Sequence, residues 1–128
     1  MKRKTKGNAE SNLERIEPYI DVQDRIVVVR QLPVILDADV AALYGVETKR
    51  INEAVRNNPD KFPSDYMFPL TTEELADLRS KISSANLSPK TRVAPKAFTE
   101  KGLYMLATVL KSKRATAATF AIIETFAK

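Results

Sequence analysis

Apolar and polar positions change period several times along the chain, and each change marks an element. Residues 1–12 have no apolar period and read as a disordered, basic arm outside the fold. Leu13, Ile16 and Ile20 make one amphipathic turn interrupted by Pro18, so the folded domain is expected over 13–128. Ile26–Val29 is a run of β-branched residues that predicts a strand, and Pro33–Leu36 predicts a second. Only Gln31-Leu32 separates the two, which forces a tight hairpin although neither Gly nor Asn is present. Asp37 then reads as the N-cap of a helix that runs to about Leu43, with Gly45 as its left-handed end. A second helix opens at Glu47 or Thr48 and runs through Ile51, Ala54 and Val55 toward Asn58, where Pro59 and Pro63 stop it.

Beyond Pro63, Tyr66–Leu70 alternates and contains Pro69, the pattern of an edge strand. Thr71 or Thr72 with Glu73 or Glu74 makes a capping pair for a helix carrying Leu75, Leu78 and Ile82. A polar loop over 83–91 leads to an extended stretch, 92–98, that returns to pair with 66–70. Thr99 caps a helix with Leu103, Leu106, Ala107 and Leu110 on one face, and residues 111–114 break it. The last helix places Ala115, Thr119, Ile122, Ile123 and Phe126 together, and it runs out at Lys128 without a stop signal, so a longer parent is expected. The sum is an α+β domain: a β-hairpin and short strands packed against about five helices.

The pair of helices at about 37–58 has the spacing of a helix-turn-helix. Ala41 is the small residue that lets the helices cross, Gly45 makes the turn, and Val40, Tyr44, Val46, Ile51 and Ala54 take the sealing offsets. On that reading, Thr48, Lys49, Arg50, Asn52 and Arg56 point toward a duplex. Their chemistry suits it, since Arg and Lys donate to guanine or phosphate and Asn pairs bidentately with adenine. Glu47 and Glu53 would repel phosphates and must face elsewhere or accept from cytosine. The competing reading is a helical hairpin serving only as core, in a module that binds a repressor or another protein.

Composition narrows the chemistry. The 128 residues contain neither His nor Cys, which removes imidazole proton shuttles, thiolate nucleophiles and zinc sites of His or Cys type. No catalytic residue, metal ligand or cofactor is expected. Asp37 with Asp39 and Glu73 with Glu74 stand at helix starts, where capping explains them, and the three glycines lie too far apart for a phosphate loop. No run of about 18 apolar residues is present to span a bilayer, and a cytoplasmic protein is expected. The net charge of +5 is uneven: residues 1–6 hold four cations, 7–87 carry nine basic against 14 acidic residues, and 88–114 carry seven basic residues against Glu100. Lys90, Arg92 and Lys96 therefore join the candidate DNA contacts as a basic flank. One such module has a small interface, so a homodimer through the last helix is a further expectation.

Three blocks of the sequence, Val34 to Asn58, Phe62 to Thr71 and Ala97 to Ser112, resemble in order the ORF-six N-terminal domain of the KilA-N and Bro-N group, found in phage antirepressors and prophage-derived bacterial proteins. The resemblance covers about residues 16–128. It implies an α+β domain that binds double-stranded DNA and precedes a variable C-terminal region. It also implies that residues 37–45 form the first helix and turn of the reader, with Thr48, Lys49, Arg50, Asn52 and Arg56 offered to DNA. The chain departs from the pattern at Gln31-Leu32, where many relatives carry Gly, and at Pro59.

Overall fold

The computed structural model of the chain describes residues 22–81 and 94–126. The basic arm, the 13–20 turn, Ile82, the 83–91 loop and the start of the 92–98 stretch lie outside the described residues. Residues 22–25 are helical, and the strands β1 (Val27–Val29) and β2 (Leu32–Leu36) follow. Next come helices α1 (Asp37–Tyr44) and α2 (Thr48–Asn57), a 3-10 turn at Pro59–Lys61, strand β3 (Met67–Pro69) and helix α3 (Thr72–Lys81). Strand β4 (Lys96–Phe98) and helices α4 (Glu100–Leu110) and α5 (Lys113–Phe126) complete the α+β domain.

The four strands form one antiparallel sheet in the order β1-β2-β4-β3. Pro69 stands on the β3 edge, as its missing N–H requires, opposite Lys96. β4 does more than the sequence predicted. Besides pairing with β3 it pairs Phe98 with Ile35 and Ala97 with Leu36, so it ties the hairpin to the rest of the sheet.

Alternation along β2 divides the interior into two layers. Val34 and Leu36 face Phe68, Leu70, Ala97 and the α3 residues Leu75 and Leu78. Ile35 and Phe98 face the other way, into a larger core built by α1, α2, α4 and α5 around Val40, Tyr44, Ile51, Leu103, Leu106 and Ile122. Phe62, delivered by the 3-10 turn, meets Phe98 edge to face with ring centroids 6.3 Å apart.

The hairpin turn is Arg30-Gln31, one residue earlier than the predicted pair, because Leu32 joins β2 opposite Val29. Both turn residues take left-handed backbone, φ 57° and 64°, which the right-handed twist of a two-residue hairpin demands. Gly or Asn would adopt this without strain. Arg30 is held there by its side chain: the guanidinium lies 3.9 Å over the Phe68 ring and forks onto the Glu74 carboxylate at 2.7 and 3.2 Å. Glu74 also accepts from the Thr71 N–H at 2.8 Å while Thr71 Oγ1 accepts from the Glu74 N–H at 3.1 Å, the reciprocal capping box that starts α3.

Two helix starts differ from expectation by a residue or a rotation. Leu36 is the N-cap of α1, and Asp37 is its first helical residue. Helix α5 begins at Lys113, with Ser112 Oγ accepting from the Ala115 N–H at 2.9 Å. Its buried face is Ala115, Ala118, Ala121 and Ile122, with Phe126 half-buried against the same core; the predicted stripe holds at Ala115, Ile122 and Phe126, misses Ala118 and Ala121, and fails at Ile123. Ile123 is 43% exposed. The alanines let α5 lie close on α1 and α4, where larger side chains would hold it off.

The α4 N-terminus sits against the 64–66 turn. Thr99 donates from its N–H to the Tyr66 carbonyl at 3.1 Å and from Oγ1 to the Asp65 carbonyl at 2.8 Å, and its Oγ1 accepts from the Gly102 N–H at 3.3 Å. A Cβ at Gly102 would stand 1.9 Å from the Tyr66 carbonyl oxygen, so only glycine permits this approach. Gly102→Ala is expected to lower the unfolding free energy by about 1–3 kcal/mol in urea titrations. Gln31→Gly should act in the opposite sense, raising it by about 0.5 kcal/mol through relief of left-handed strain. A loss of stability in that variant would show that residue 31 stores no strain.

Candidate nucleic-acid interface

The helix pair closes as its spacing required. Val40, Ala41, Tyr44, Ile51 and Ala54 are all buried, and Val46 packs against the same core half-exposed. Gly45 takes φ 71° and closes α1 through its own N–H and that of Val46, both directed to the Ala41 carbonyl. Two distant residues complete the joint. The Tyr44 hydroxyl donates to the Leu103 carbonyl at 2.8 Å inside the core, and Arg114 Nε donates to the Leu43 carbonyl at 3.2 Å. Burial raises the Tyr44 phenol above its ordinary value, so it stays a donor. At the other end of α1, Arg25 pairs with Asp39 at 2.5 Å and anchors the 22–25 turn to the helix.

Helix α2 buries Ile51, Ala54 and Val55. At 100° per residue, Lys49, Glu53 and Arg56 fall opposite that stripe, with Arg50 and Asn57 on one flank and Thr48 and Asn52 on the other. Lys49, Arg50 and Arg56 are exposed, and among the described residues none of them forms an ion pair. Thr48 is half-exposed at the first helical position, and Glu53 is half-exposed between the cations. Glu47 is the N-cap residue, its carbonyl accepting from the Arg50 N–H at 2.9 Å, and its side chain is solvated.

Asn52 is placed differently from the other candidates. Its side chain approaches the Asp37 carboxylate as the weakest of the contacts that favour the ionised form, and its Oδ1 is buried without a hydrogen-bond partner among the described residues. Lys96 converges on the same carboxylate, through its backbone N–H and its nearby ammonium. The Ala38 N–H, 2.9 Å from Asp37 Oδ1, completes the set. Burial pushes the Asp37 carboxyl above its ordinary value, and these four groups pull it back in part. The structure therefore brings Asn52 and Lys96 together around Asp37, at the seam between α2, the α1 N-terminus and β4. It presents Lys49, Arg50 and Arg56 outward. Lys90 and Arg92 lie outside the described residues. The spacing held a sign of the difference, since Asn52 is adjacent to Ile51 and three before Val55, at the edge of the buried stripe. Arg114, which reaches the α1 C-terminus from 71 residues away, left no local signal.

The sequence model of the ORF6N domain matches residues 24–109. This chain belongs to the ORF6N domain family. The match spans the sheet, the α1–α2 pair, α3 and all but the last residue of α4, and it ends before α5. Searches of curated proteins and of solved structures returned no match. ORF6N is a phage-associated domain. Among the described residues, no cluster of acidic side chains could hold a metal, and no helix is long and apolar enough to cross a membrane.

The Asp37 cluster sets an acid-range signature. A carboxyl raised in the folded state binds its proton more tightly there than in the unfolded chain. Its effect is to stabilise the fold as the pH falls from the raised value toward about 3.9. The stability of the native chain relative to Asp37→Asn should therefore shift in favour of the native chain as pH falls through that window, in urea titrations between about pH 3 and 7. Asn52→Ala is expected to lower the unfolding free energy by about 1 kcal/mol. Unchanged stability would return Asn52 to the outward-facing set.

Proposed function

We propose that this ORF6N domain is the DNA-binding part of a phage-type regulator of the antirepressor kind, allied to the KilA-N and Bro-N group, and that it acts in the cytoplasm on duplex DNA by binding and not by catalysis. The observation that carries the reading is the exposed triad Lys49, Arg50 and Arg56 on the second helix of a sealed helix-turn-helix pair, none of which forms an ion pair among the described residues. Exposed cations on a rigid element are suited to displace counterions from phosphate, and a helix of this diameter fits the major groove. Arg50 and Arg56 are the side chains best placed to fork onto guanine or phosphate. Thr48, at the positive end of the α2 dipole, suits a phosphate. Asn52 and Lys96 contribute by holding α2 to α1 and β4 through Asp37, while Lys90 and Arg92 extend the basic flank along the sequence.

Fluorescence anisotropy on a pool of labelled duplexes, across a salt series, tests this. Log affinity should fall with log salt by roughly 0.9 per phosphate contact, and Arg50→Ala with Arg56→Ala should make the slope shallower by up to about 2. Absence of binding at about 50–100 mM salt would overturn the reading and favour the alternative, a module that binds a repressor or another protein.

A further inference from the structure

Helix α5, on which the sequence places a homodimer contact, presents a second surface that touches none of the candidate DNA-binding residues. Its packed face is built from Ala115, Ala118, Ala121 and Ile122, and Phe120 lies on the opposite side with 66% of its surface exposed. Along that outer side run Lys113, Ala117, Phe120 and Glu124, all exposed, at spacings of four, three and four residues. That spacing keeps four side chains on one line of an α-helix. Among the described residues, neither Lys113 nor Glu124 forms an ion pair.

The seam reads the same in reverse with its properties exchanged. A cation stands at one end and an anion at the other, and a large apolar ring sits beside a small residue in the middle. Turning a second copy end over end about the point midway between Ala118 and Thr119 sets position 113 against 124 and position 117 against 120. We propose that α5 is the seam of a homodimer in which two copies pack antiparallel, Lys113 meeting the partner's Glu124 and Phe120 lying over the partner's Ala117. Ile123, 43% exposed on one flank, then comes alongside the partner's Thr116. A parallel arrangement sets Lys113 against Lys113 and Glu124 against Glu124, and crowds two rings at one level. Charge complementarity therefore selects both the occupant, a second copy, and its direction. The seam is about 16 Å long, eleven rises of an α-helix, which places the contact among small, reversible interfaces with dissociation in the micromolar range. The proposal goes beyond the DNA-binding reading and stands or falls without DNA.

Sedimentation velocity of the whole chain in the absence of DNA, from low micromolar to near-millimolar concentration, supplies the test. A reversible monomer–dimer equilibrium is expected, with Phe120→Asp monomeric throughout and unchanged in its far-ultraviolet circular dichroism. Lys113→Glu and Glu124→Lys should each weaken association on the order of tenfold, because each replaces two attractive contacts with two repulsive ones. The double exchange should restore it. A chain that stays monomeric over the whole range overturns the proposal, as does a dimer indifferent to Phe120→Asp. Single variants that weaken association without recovery in the double exchange overturn the antiparallel register.

Discussion

The angle between α1 and α2 depends on what happens to the last carbonyls of α1. A helix that ends inside a domain leaves its terminal C=O groups without intrahelical donors. Here Ala41 is answered by the Gly45 and Val46 N–H groups, and Leu43 by the Arg114 guanidinium. Gly45 can take φ 71° without a Cβ penalty, and a Cβ there would also press on Arg114 Cγ at 3.1 Å. The Tyr44 hydroxyl reaches in the other direction, to a carbonyl of α4, so that the same turn is pinned to the core helix behind it. Once this joint is fixed, α2 has one orientation, and whatever its outer face presents is presented rigidly. The surface cations of α2 inherit their position from buried hydrogen bonds that they do not make.

The other end of the pair is held by polar groups at a cost. Asp37 is buried, its ionised form is disfavoured by desolvation, and it is kept in place by four donors or charges from α1, α2 and β4. Asn52 leaves one oxygen unsatisfied. An apolar pair of the same shape would be at least as stabilising, but it would not fix direction. The approach of Asn52 to that carboxylate adds to the rotational preference that the joint at Gly45 and apolar packing at Ile51 and Ala54 give α2. The cluster thus contributes alignment, and the sheet joins in because β4 supplies the Lys96 N–H.

Elements whose determinants are local were legible in the sequence. The Thr71/Glu74 capping box, the Thr99 cap, the Gly45 turn, the stop before Pro59 and the Pro69 edge each rest on residues within four positions of one another. Their chemistry is the same in a peptide as in the fold. The hairpin turn and the face of α5 were not legible, for a shared reason. Arg30 can be left-handed because Phe68 and Glu74, from β3 and α3, hold its side chain, and no window around Arg30 contains them. The stripe assigned to α5 held Ala115 and Ile122 but passed over Ala118 and Ala121, because the helix packs largely through its alanines, a choice made by the closeness of α1 and α4. On α2, the exposure of Lys49, Arg50 and Arg56 was legible because periodicity decides it. The proximity of Asn52 to Asp37 was not, because a residue at the edge of the stripe meets whatever the neighbouring elements bring to it.

The rotation of α5 has a consequence for its outer side. Close packing through small side chains buries little area per residue, so α5 gains its place by proximity and not by bulk. Phe120 and Ile123 are then displaced around it: Phe120 cannot reach the core without turning Ala118 and Ala121 out. Leaving a phenylalanine two-thirds in water forgoes most of the roughly 1.5–3 kcal/mol that full burial of such a side chain contributes. A charged or small residue at 120 would serve the core equally well, since among the described residues neither hydrophobic cluster includes the ring. The free energy forgone in the monomer is the free energy available to an occupant of that face. The cation and anion that close its two ends set the direction from which an occupant must come.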